Sequence, residues 1–379
     1  MNEREGYEHA AAGHEGTSFV PVIRGERANM GQARPTETGR PRRREDRRGR
    51  ERLFDEGDLA GWAQGFFGLW RKQNEKHAWV PPPEEPWRTI GDVARVAIFG
   101  EYGTGQFGGT ACAESMATAR PAFDALIHLG DSHCPMLPVE PEERFLGAWP
   151  AAPEALSIAL CSSQEMASGA RGYFEAIRSA RFGQPSSAVA IENRYFVIAC
   201  LDSAYSEGDL AGDQAGWVLR LSERARARGQ RLVLMSHHGP MSLFEPHARA
   251  MVSALGGVLR ERRVLSWYWA HERRAVVFEM HEGWGLFGRC VGNSGNPARR
   301  DDVSKALARR VNAGGTTWNL LAKKGVPPGW VLDGENPFVP GHTEECAPPG
   351  FASLILDGPH LHEIVHAASG RELWTEQLC

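Results

Sequence analysis

Acidic and histidine side chains stand directly after short apolar segments of this sequence, and their types would suit a metal-dependent reaction. They are Glu101, Asp131, Gln164 with Glu165, His237 with His238, and His271. Carboxylates and imidazoles bind divalent transition metals. Two such ions about 3.5–4 Å apart polarise a phosphoryl group and an attacking water together. A single histidine after a strand is most often structural, but a series of such strand ends indicates a metal site.

The apolar segments predict the elements that position these side chains. They are RVAIFG (95–100), ALIHLG (125–130), LSIALC (156–161), YFVIACLD (195–202), RLVLMS (231–236) and VLSWYWA (264–270). Each segment ends at glycine or at a small or polar residue, and helical patterns such as 213–228 and 246–262 separate several of them. Buried strands that alternate with helices predict an α/β domain. Functional residues of such sheets lie where strands end.

Two segments near the C-terminus have different patterns. Alternating apolar residues around an Asp-Gly pair predict a β-hairpin over 353–367. Residues 297–350 hold many prolines and glycines, so we expect a long, irregular excursion there.

The N-terminal part differs in composition from the rest of the chain. Residues 1–56 contain few large apolar residues, which predicts disorder, and eight arginines fall within 40–52. No aromatic residues interleave with these arginines, so we expect a solvated linker and no nucleic-acid partner. An arm that binds an acidic partner stays an alternative. Residues 57–92 predict an amphipathic helix that packs on the main domain, then a Pro-rich linker, and residues 93–379 form that domain.

The overall composition is typical of a globular protein. Among 379 residues, 42% are hydrophobic and 24% charged, with a net charge of −4. No segment approaches the roughly 18 apolar residues of a membrane span, and the polar N-terminus does not resemble a signal peptide. The seven cysteines are scattered and form no CxxC motif. These features predict a cytoplasmic protein with reduced thiols.

Six ordered blocks of the sequence resemble the calcineurin-like metallophosphoesterases, in particular a bacterial branch related to purple acid phosphatases. The blocks are FGEYGTG (99–105), HLGDSHC (128–134), CSSQEMASGARGYF (161–174), LMSHHGPMS (234–242), WYWAHERR (267–274) and RCVGNSGNP (289–297). The resemblance covers residues 93 to about 375. It implies an α/β fold in which two β-sheets form a sandwich flanked by helices, with metals above the central strand ends.

The resemblance also implies a metal site of which most ligands are present. Asp131 matches the bridging aspartate of the family, and His237 and His271 match two of its histidine ligands. The family's asparagine ligand corresponds to Ser163. A hydroxyl is a poorer neutral ligand than an amide carbonyl, so we expect this site to be weakened.

More ligands are substituted in the second metal site that the resemblance implies. Glu101 stands for an aspartate, Cys134 for a tyrosine and Arg273 for a histidine ligand. A guanidinium cannot coordinate a metal and repels a cation. Gln164 replaces a histidine that assists at the substrate phosphate, and it cannot act as a general acid. Together with Gln164 and Arg273, we count His238 as a candidate catalytic residue.

These substitutions leave several hypotheses about function. In the first, the chain is a pseudophosphatase in which Arg273 pairs with Glu101 or Asp131. In the second, one divalent ion (Fe, Mn or Zn) remains at Asp131, His237 and His271, and Arg273 binds the phosphate of a phosphoester substrate. Cys134 as a soft ligand is a further possibility. In the last, the chain is an interaction module that acts through its Arg-rich arm, although the sequence identifies no protein partner.

Overall fold

The computed structural model describes residues 76–102, 107–131, 145–300, 303, 309–313, 316–339 and 341–379. The predicted N-terminal arm, the predicted amphipathic helix up to residue 75 and Cys134 lie outside these residues. Hypotheses that depend on them, including an interaction module built on the arm, therefore stay predictions.

Strands and helices alternate through the first two thirds of the described chain, and the later elements whose bounds the structure describes are strands. The strands are β1 Arg88–Thr89, β2 Val93–Phe99, β3 Ala125–His128, β4 Leu156–Ala159, β5 Val189–Glu192, β6 Phe196–Cys200, β7 Arg231–Ser236, β8 Val264–Trp269, β9 Ala275–Phe278, β10 Phe287–Val291, β11 Arg309–Ala313, β12 Thr316–Lys323, β13 Val326–Asp333, β14 Gly350–Asp357, β15 His360–Ala367 and β16 Glu372–Gln377. The helices are α1 Gly109–Thr118, α2 Ser163–Ala167, α3 Arg171–Arg178, α4 Gln214–Ala227, α5 Arg249–Ala254 and α6 Gly256–Arg260.

The described strands form two sheets. The larger has ten strands in the order β1-β5-β6-β7-β8-β10-β9-β13-β12-β11, and the smaller has six in the order β16-β15-β14-β2-β3-β4. Strands β2, β3 and β4 are parallel to one another, as are β6, β7, β8 and β10. In each parallel group the carboxyl ends lie at one edge of the sheet, which is where the predicted site residues follow the strands.

Apolar side chains fill both the space between the sheets and their outer faces. Ile98 and Ile127 of the smaller sheet share a buried cluster with Ile198 and Val233 of the larger one. Helices α4, α5 and α6 cover the outer face of the larger sheet, and α1, α2 and α3 cover that of the smaller sheet. The predicted α/β fold, a two-sheet sandwich flanked by helices, is confirmed.

The local predictions are largely confirmed as well. All six apolar segments form strands, β2, β3, β4, β6, β7 and β8, and the predicted hairpin is formed by β14 and β15. Segment 213–228 contains α4, whereas 246–262 contains two short helices, which are joined through Leu255. Adjacent glycines at 256–257 favour such an interruption.

The prediction of an irregular excursion over 297–350 is wrong for its central part. Strands β12 and β13 form a hairpin there and extend the larger sheet through β9. The side chains of Trp318, Val331 and Leu332 are buried, which stabilises these strands. The register shifts in β12 opposite the two prolines of β13, and such an irregularity accommodates residues that cannot donate a backbone hydrogen bond.

The Pro-rich segment, described from Lys76, lies along the domain. Trp217 Nε1 donates a hydrogen bond of 2.9 Å to the carbonyl of Pro83, and β1 pairs with β5. No helix in the described part of the chain is long and apolar enough to cross a membrane.

Candidate functional site

The predicted site residues follow strands whose carboxyl ends meet. Glu101 comes after β2, Asp131 after β3, and Ser163 with Gln164 after β4. His237 and His238 follow β7, and His271 and Arg273 follow β8. The site residues therefore come from both parallel groups of strands, which is the usual place for a functional site in an α/β fold.

Four of these residues have a left-handed backbone conformation. Their φ angles are 54° at Glu101, 61° at Asp131, 65° at His271 and 54° at Arg273. Residues other than glycine rarely adopt this conformation, which costs about 1–3 kcal/mol and is found mainly at functional sites. The fold therefore maintains backbone strain where the sequence predicts a site.

Gly130 allows a histidine to approach the turn after β3. It has a φ of 97°, and a Cβ at this position would lie 2.7 Å from Nδ1 of His237. His237 Nδ1 lies 3.0 Å from the carbonyl oxygen of Leu129, to which it donates a hydrogen bond. This bond fixes the ring and leaves Nε2 of His237 as the nitrogen that could bind a metal.

Three histidines form a cluster that could hold a metal ion. One nitrogen from each of His237, His238 and His271 lies within 4.8 Å of the other two. His271 Nδ1 is 3.2 Å from His237 Nε2. Among the described residues, neither Glu101 nor Asp131 belongs to this cluster.

The histidines of the cluster favour the neutral form, which is the form that binds metals. Burial, followed by the neighbouring His238 and His271, lowers the pKa of His237 well below its ordinary value. Burial and His271 lower the pKa of His238 to about 3. Burial and Arg273 lower that of His271 to about 4.

Ser163 and Gln164 begin the short helix α2. Its N-cap is Ser162, whose hydroxyl and backbone N–H both bond to the buried carboxylate of Glu165. Ser163 Oγ lies 3.2 Å from Nε2 of His238, so this predicted metal ligand contacts the histidine cluster. Gln164 is half-buried in the first turn of α2.

The two carboxylates of the site are buried next to an arginine. Glu101 is 1% exposed and Asp131 3%. Neither oxygen of Glu101 has a hydrogen-bond partner in the part of the chain that the structure describes. Arg273 Nε lies 3.6 Å from Glu101 Oε2. Burial and the charge of Asp131 raise the pKa of Glu101 well above its ordinary value, although Arg273 opposes this shift.

Solved structures with the same architecture include phosphatases. Purple acid phosphatase PPD1 from yellow lupin (Lupinus luteus) matches with a TM-score of 0.53 at 14% identity, over 78% of this chain and 55% of its own. GAP50, the anchor in the inner membrane complex of Plasmodium, matches with a TM-score of 0.50 at 8% identity, over 75% of this chain and 88% of its own. No family model matches the sequence, and no curated protein matches it.

The chain has the metallophosphoesterase fold. The degree of identity supports the fold alone, and the chain spans just over half the length of the lupin enzyme. One fold carries many functions, so the chemistry of this metallophosphoesterase-fold protein has to be argued from its own site.

The structure divides the predicted site into two groups. The first contains His237, His238 and His271 with Ser163, and the second contains Glu101 with Asp131 and Arg273. The role of Asp131 as a ligand shared with His237 and His271 stays a prediction.

Two residues at the histidine cluster were not predicted. Ser203 Oγ lies 3.1 Å from Nδ1 of His238, and Glu245 Oε2 lies 3.4 Å from Nε2 of His271. Ser203 is buried and comes shortly after the end of β6, so the strand-end rule could have identified it. Glu245 lies in a loop nine residues after the end of β7, where no sequence signal distinguishes it.

Proposed function

We propose that this metallophosphoesterase-fold protein is a pseudophosphatase that has lost two-metal phosphoester hydrolysis. The observation that supports this most is the position of Arg273, whose Nε lies 3.6 Å from the Glu101 carboxylate. In the related enzymes that the sequence resembles, a histidine ligand occupies the position of Arg273. A guanidinium brings a permanent positive charge to the carboxylates and cannot bind a metal. The donor set for a second ion therefore does not fit at Glu101 and Arg273.

The residues that would assist hydrolysis also differ in chemistry from the family pattern. Gln164 can donate a hydrogen bond to a phosphate oxygen but cannot protonate a leaving group. Ser163 replaces an amide ligand, and its hydroxyl lies 3.2 Å from the His238 ring. With these substitutions, we expect the chain to retain groups that position an anion while lacking the acid that releases the product.

A second candidate is a one-metal phosphoesterase, which the histidine cluster favours. Asp131, His237 and His271 would hold a single Fe, Mn or Zn ion, which would supply Lewis-acid activation of a phosphoryl oxygen. Arg273 would bind the non-bridging oxygens of the phosphoester and neutralise their charge. His238, which lies 3.2 Å from Ser163 Oγ, would orient the substrate through hydrogen bonds.

Metal content and hydrolysis measured together distinguish the two candidates. For a pseudophosphatase we expect no turnover of an aryl phosphate above that of the Asp131→Ala variant, with Mn²⁺, Fe²⁺ or Zn²⁺ added. A one-metal enzyme would show turnover that both Asp131→Ala and His271→Ala abolish. Two equivalents of bound metal with rapid turnover would overturn the pseudophosphatase proposal.

A reverse substitution provides a matched control. Arg273→His restores the imidazole that the related enzymes have beside the carboxylates. If Arg273 is what prevents binding of a second ion, this variant should bind more metal than the parent. An unchanged stoichiometry in Arg273→His would mean that the other substitutions at that site, Glu101 and Cys134, are sufficient to exclude the second ion.

A further inference from the structure

Each histidine of the cluster has a ring nitrogen next to an oxygen atom outside the cluster, and His238 has one at each nitrogen, since its Nε2 also lies 3.2 Å from Ser163 Oγ. His237 Nδ1 is 3.0 Å from the Leu129 carbonyl oxygen, and His238 Nδ1 is 3.1 Å from Ser203 Oγ. His271 Nε2 is 3.4 Å from Glu245 Oε2. Histidines that bind metals almost always donate their other N–H to a carboxylate, a carbonyl or a similar group. The cluster has this arrangement at all three rings.

These contacts favour one arrangement of the protons on the three rings. A neutral imidazole has one N–H and one lone pair. When each ring donates to its outer oxygen, the lone pairs are at Nε2 of His237, Nε2 of His238 and Nδ1 of His271. The Nε2 of His237 and the Nδ1 of His271 are then 3.2 Å apart with lone pairs on both atoms. A cation between them would replace this repulsion with two bonds.

The distance between two of the ring nitrogens agrees with tetrahedral coordination of one ion. Nitrogens that bind one zinc ion at about 2.0–2.1 Å in tetrahedral geometry lie roughly 3.3–3.4 Å apart. The 3.2 Å between His237 Nε2 and His271 Nδ1 is close to that value. One nitrogen from each of the three rings lies within 4.8 Å of the other two, so a small movement of one half-buried ring would complete the set.

A small cavity lies beside the cluster. It has a volume of about 10 Å³ and is lined in part by His238, His271 and Glu245. Such a volume holds about one water molecule, which could occupy the fourth position of a tetrahedral ion.

We propose that His237, His238 and His271 form a mononuclear zinc-type site with three nitrogen ligands, in which Glu245 and Ser203 orient two of the rings. This set differs from the ligands that the sequence resemblance implies, because His238 takes part and Asp131 does not. The site requires neither Glu101 nor the position of Arg273. It is therefore independent of whether phosphoester hydrolysis survives.

Metal titration of the full chain tests the donor set. The protein is expressed without a histidine tag, dialysed against a chelator and titrated with Zn²⁺ by calorimetry. Titration with Co²⁺ gives a second measurement, because tetrahedral cobalt absorbs visible light much more strongly than octahedral cobalt. We expect one equivalent of either ion and a tetrahedral Co²⁺ spectrum.

Variants separate this site from the alternatives. His238→Gln and His271→Gln should lose at least a hundredfold in Zn²⁺ affinity. Asp131→Asn should bind as the parent does, and so should His247→Gln, which changes a histidine that lines the same cavity but lies outside the cluster. Glu245→Gln keeps all three ligands and should weaken binding by about 10–100-fold, as other substitutions next to metal-binding histidines do.

Two results would overturn the proposal. One is a folded parent protein that binds no Zn²⁺. The other is an Asp131→Asn variant that loses affinity as much as or more than His238→Gln, since Asp131 would then be a ligand. Thermal melting of each metal-free variant shows whether it is folded. If His238→Gln does not fold, Glu245→Gln provides the test. Unchanged Zn²⁺ affinity in that variant would contradict the proposed three-histidine site.

Discussion

Two buried groups of charged side chains in this fold differ in how completely the protein compensates their charges and hydrogen-bonding atoms. Between the sheets, Arg289 of β10 pairs with Glu363 of β15 at 2.5 Å and with Glu376 of β16 at 2.8 Å. Tyr268 donates a hydrogen bond to the other oxygen of Glu363. At the strand ends, neither oxygen of Glu101 has a hydrogen-bond partner among the described residues. Arg273 Nε lies 3.6 Å from its Oε2, and the neighbouring Asp131 opposes its ionisation.

The difference indicates what each group is for. The Arg289 guanidinium also donates to the carbonyls of Phe278 and Gly288, so its charge and N–H groups are compensated by the protein itself. Such a network contributes to the structure because it connects the two sheets. Buried carboxylates without hydrogen bonds are unfavourable for folding, and their retention is typical of a site that binds a ligand or once did.

The largest loss of stability should come from breaking the Arg289 network. Arg289→Met leaves the charge of Glu363 buried without its cation, so we expect the free energy of unfolding to fall by about 3–5 kcal/mol. Denaturation by urea measures this change. Glu376→Gln is a suitable control because its side chain is 33% exposed, and we expect it to cost about 1 kcal/mol or less. An equal loss in both variants would mean that the Arg289 network is not a buried unit.

At the strand ends we expect a substitution to raise the free energy of unfolding. Glu101→Gln removes a buried ionisable carboxyl group that has no hydrogen-bond partner among the described residues, so the metal-free protein should gain about 1–3 kcal/mol near neutral pH. Because the pKa of Glu101 is raised in the folded state, the free energy of unfolding falls as the pH rises above the ordinary pKa of glutamate. The gain should therefore vanish below about pH 4.3, the ordinary pKa of glutamate.

Glu165→Gln is the matched comparison for Glu101→Gln. Glu165 is equally buried, but it accepts hydrogen bonds from the backbone N–H and hydroxyl of Ser162. Its substitution should lower the free energy of unfolding by about 1–3 kcal/mol at neutral pH. Urea denaturation of both variants with a chelator present provides the measurement. A loss of stability in Glu101→Gln as well would contradict the difference between the two regions.

Sequence reasoning located one of these regions and not the other. The apolar segments and the polar residues after them identified the strands and the site edge, because both signals are local. The role of Arg289 could not be predicted in this way. Its partners Glu363 and Glu376 are 74 and 87 residues away and belong to the other sheet. Nothing in the local pattern around any of the three indicates the pairing.

The same distinction explains the other differences between prediction and structure. The prolines and glycines of 297–350 indicated irregular structure, yet burial of Trp318 and Val331 stabilises β12 and β13. Tertiary packing outweighed local preference in that segment. At the histidine cluster, the sequence indicated His237 and His271, whereas the contact of Glu245 with His271 depends on how a loop folds back onto the site.

The smallest effect, and the most informative about function, should come from Arg273. Arg273→Met removes a half-exposed cation, so we expect a loss of about 0.5–1 kcal/mol in the metal-free protein, several times less than for Arg289→Met. In the Glu101→Gln background the same substitution should cost less, because one of the carboxylates that Arg273 faces is absent while Glu245 remains. The double-mutant cycle, measured by urea denaturation, gives the coupling energy between the two side chains directly. A coupling of zero would show that the guanidinium does not compensate Glu101. The main support for a pseudophosphatase would then be lost, whereas the three-histidine site would be unaffected.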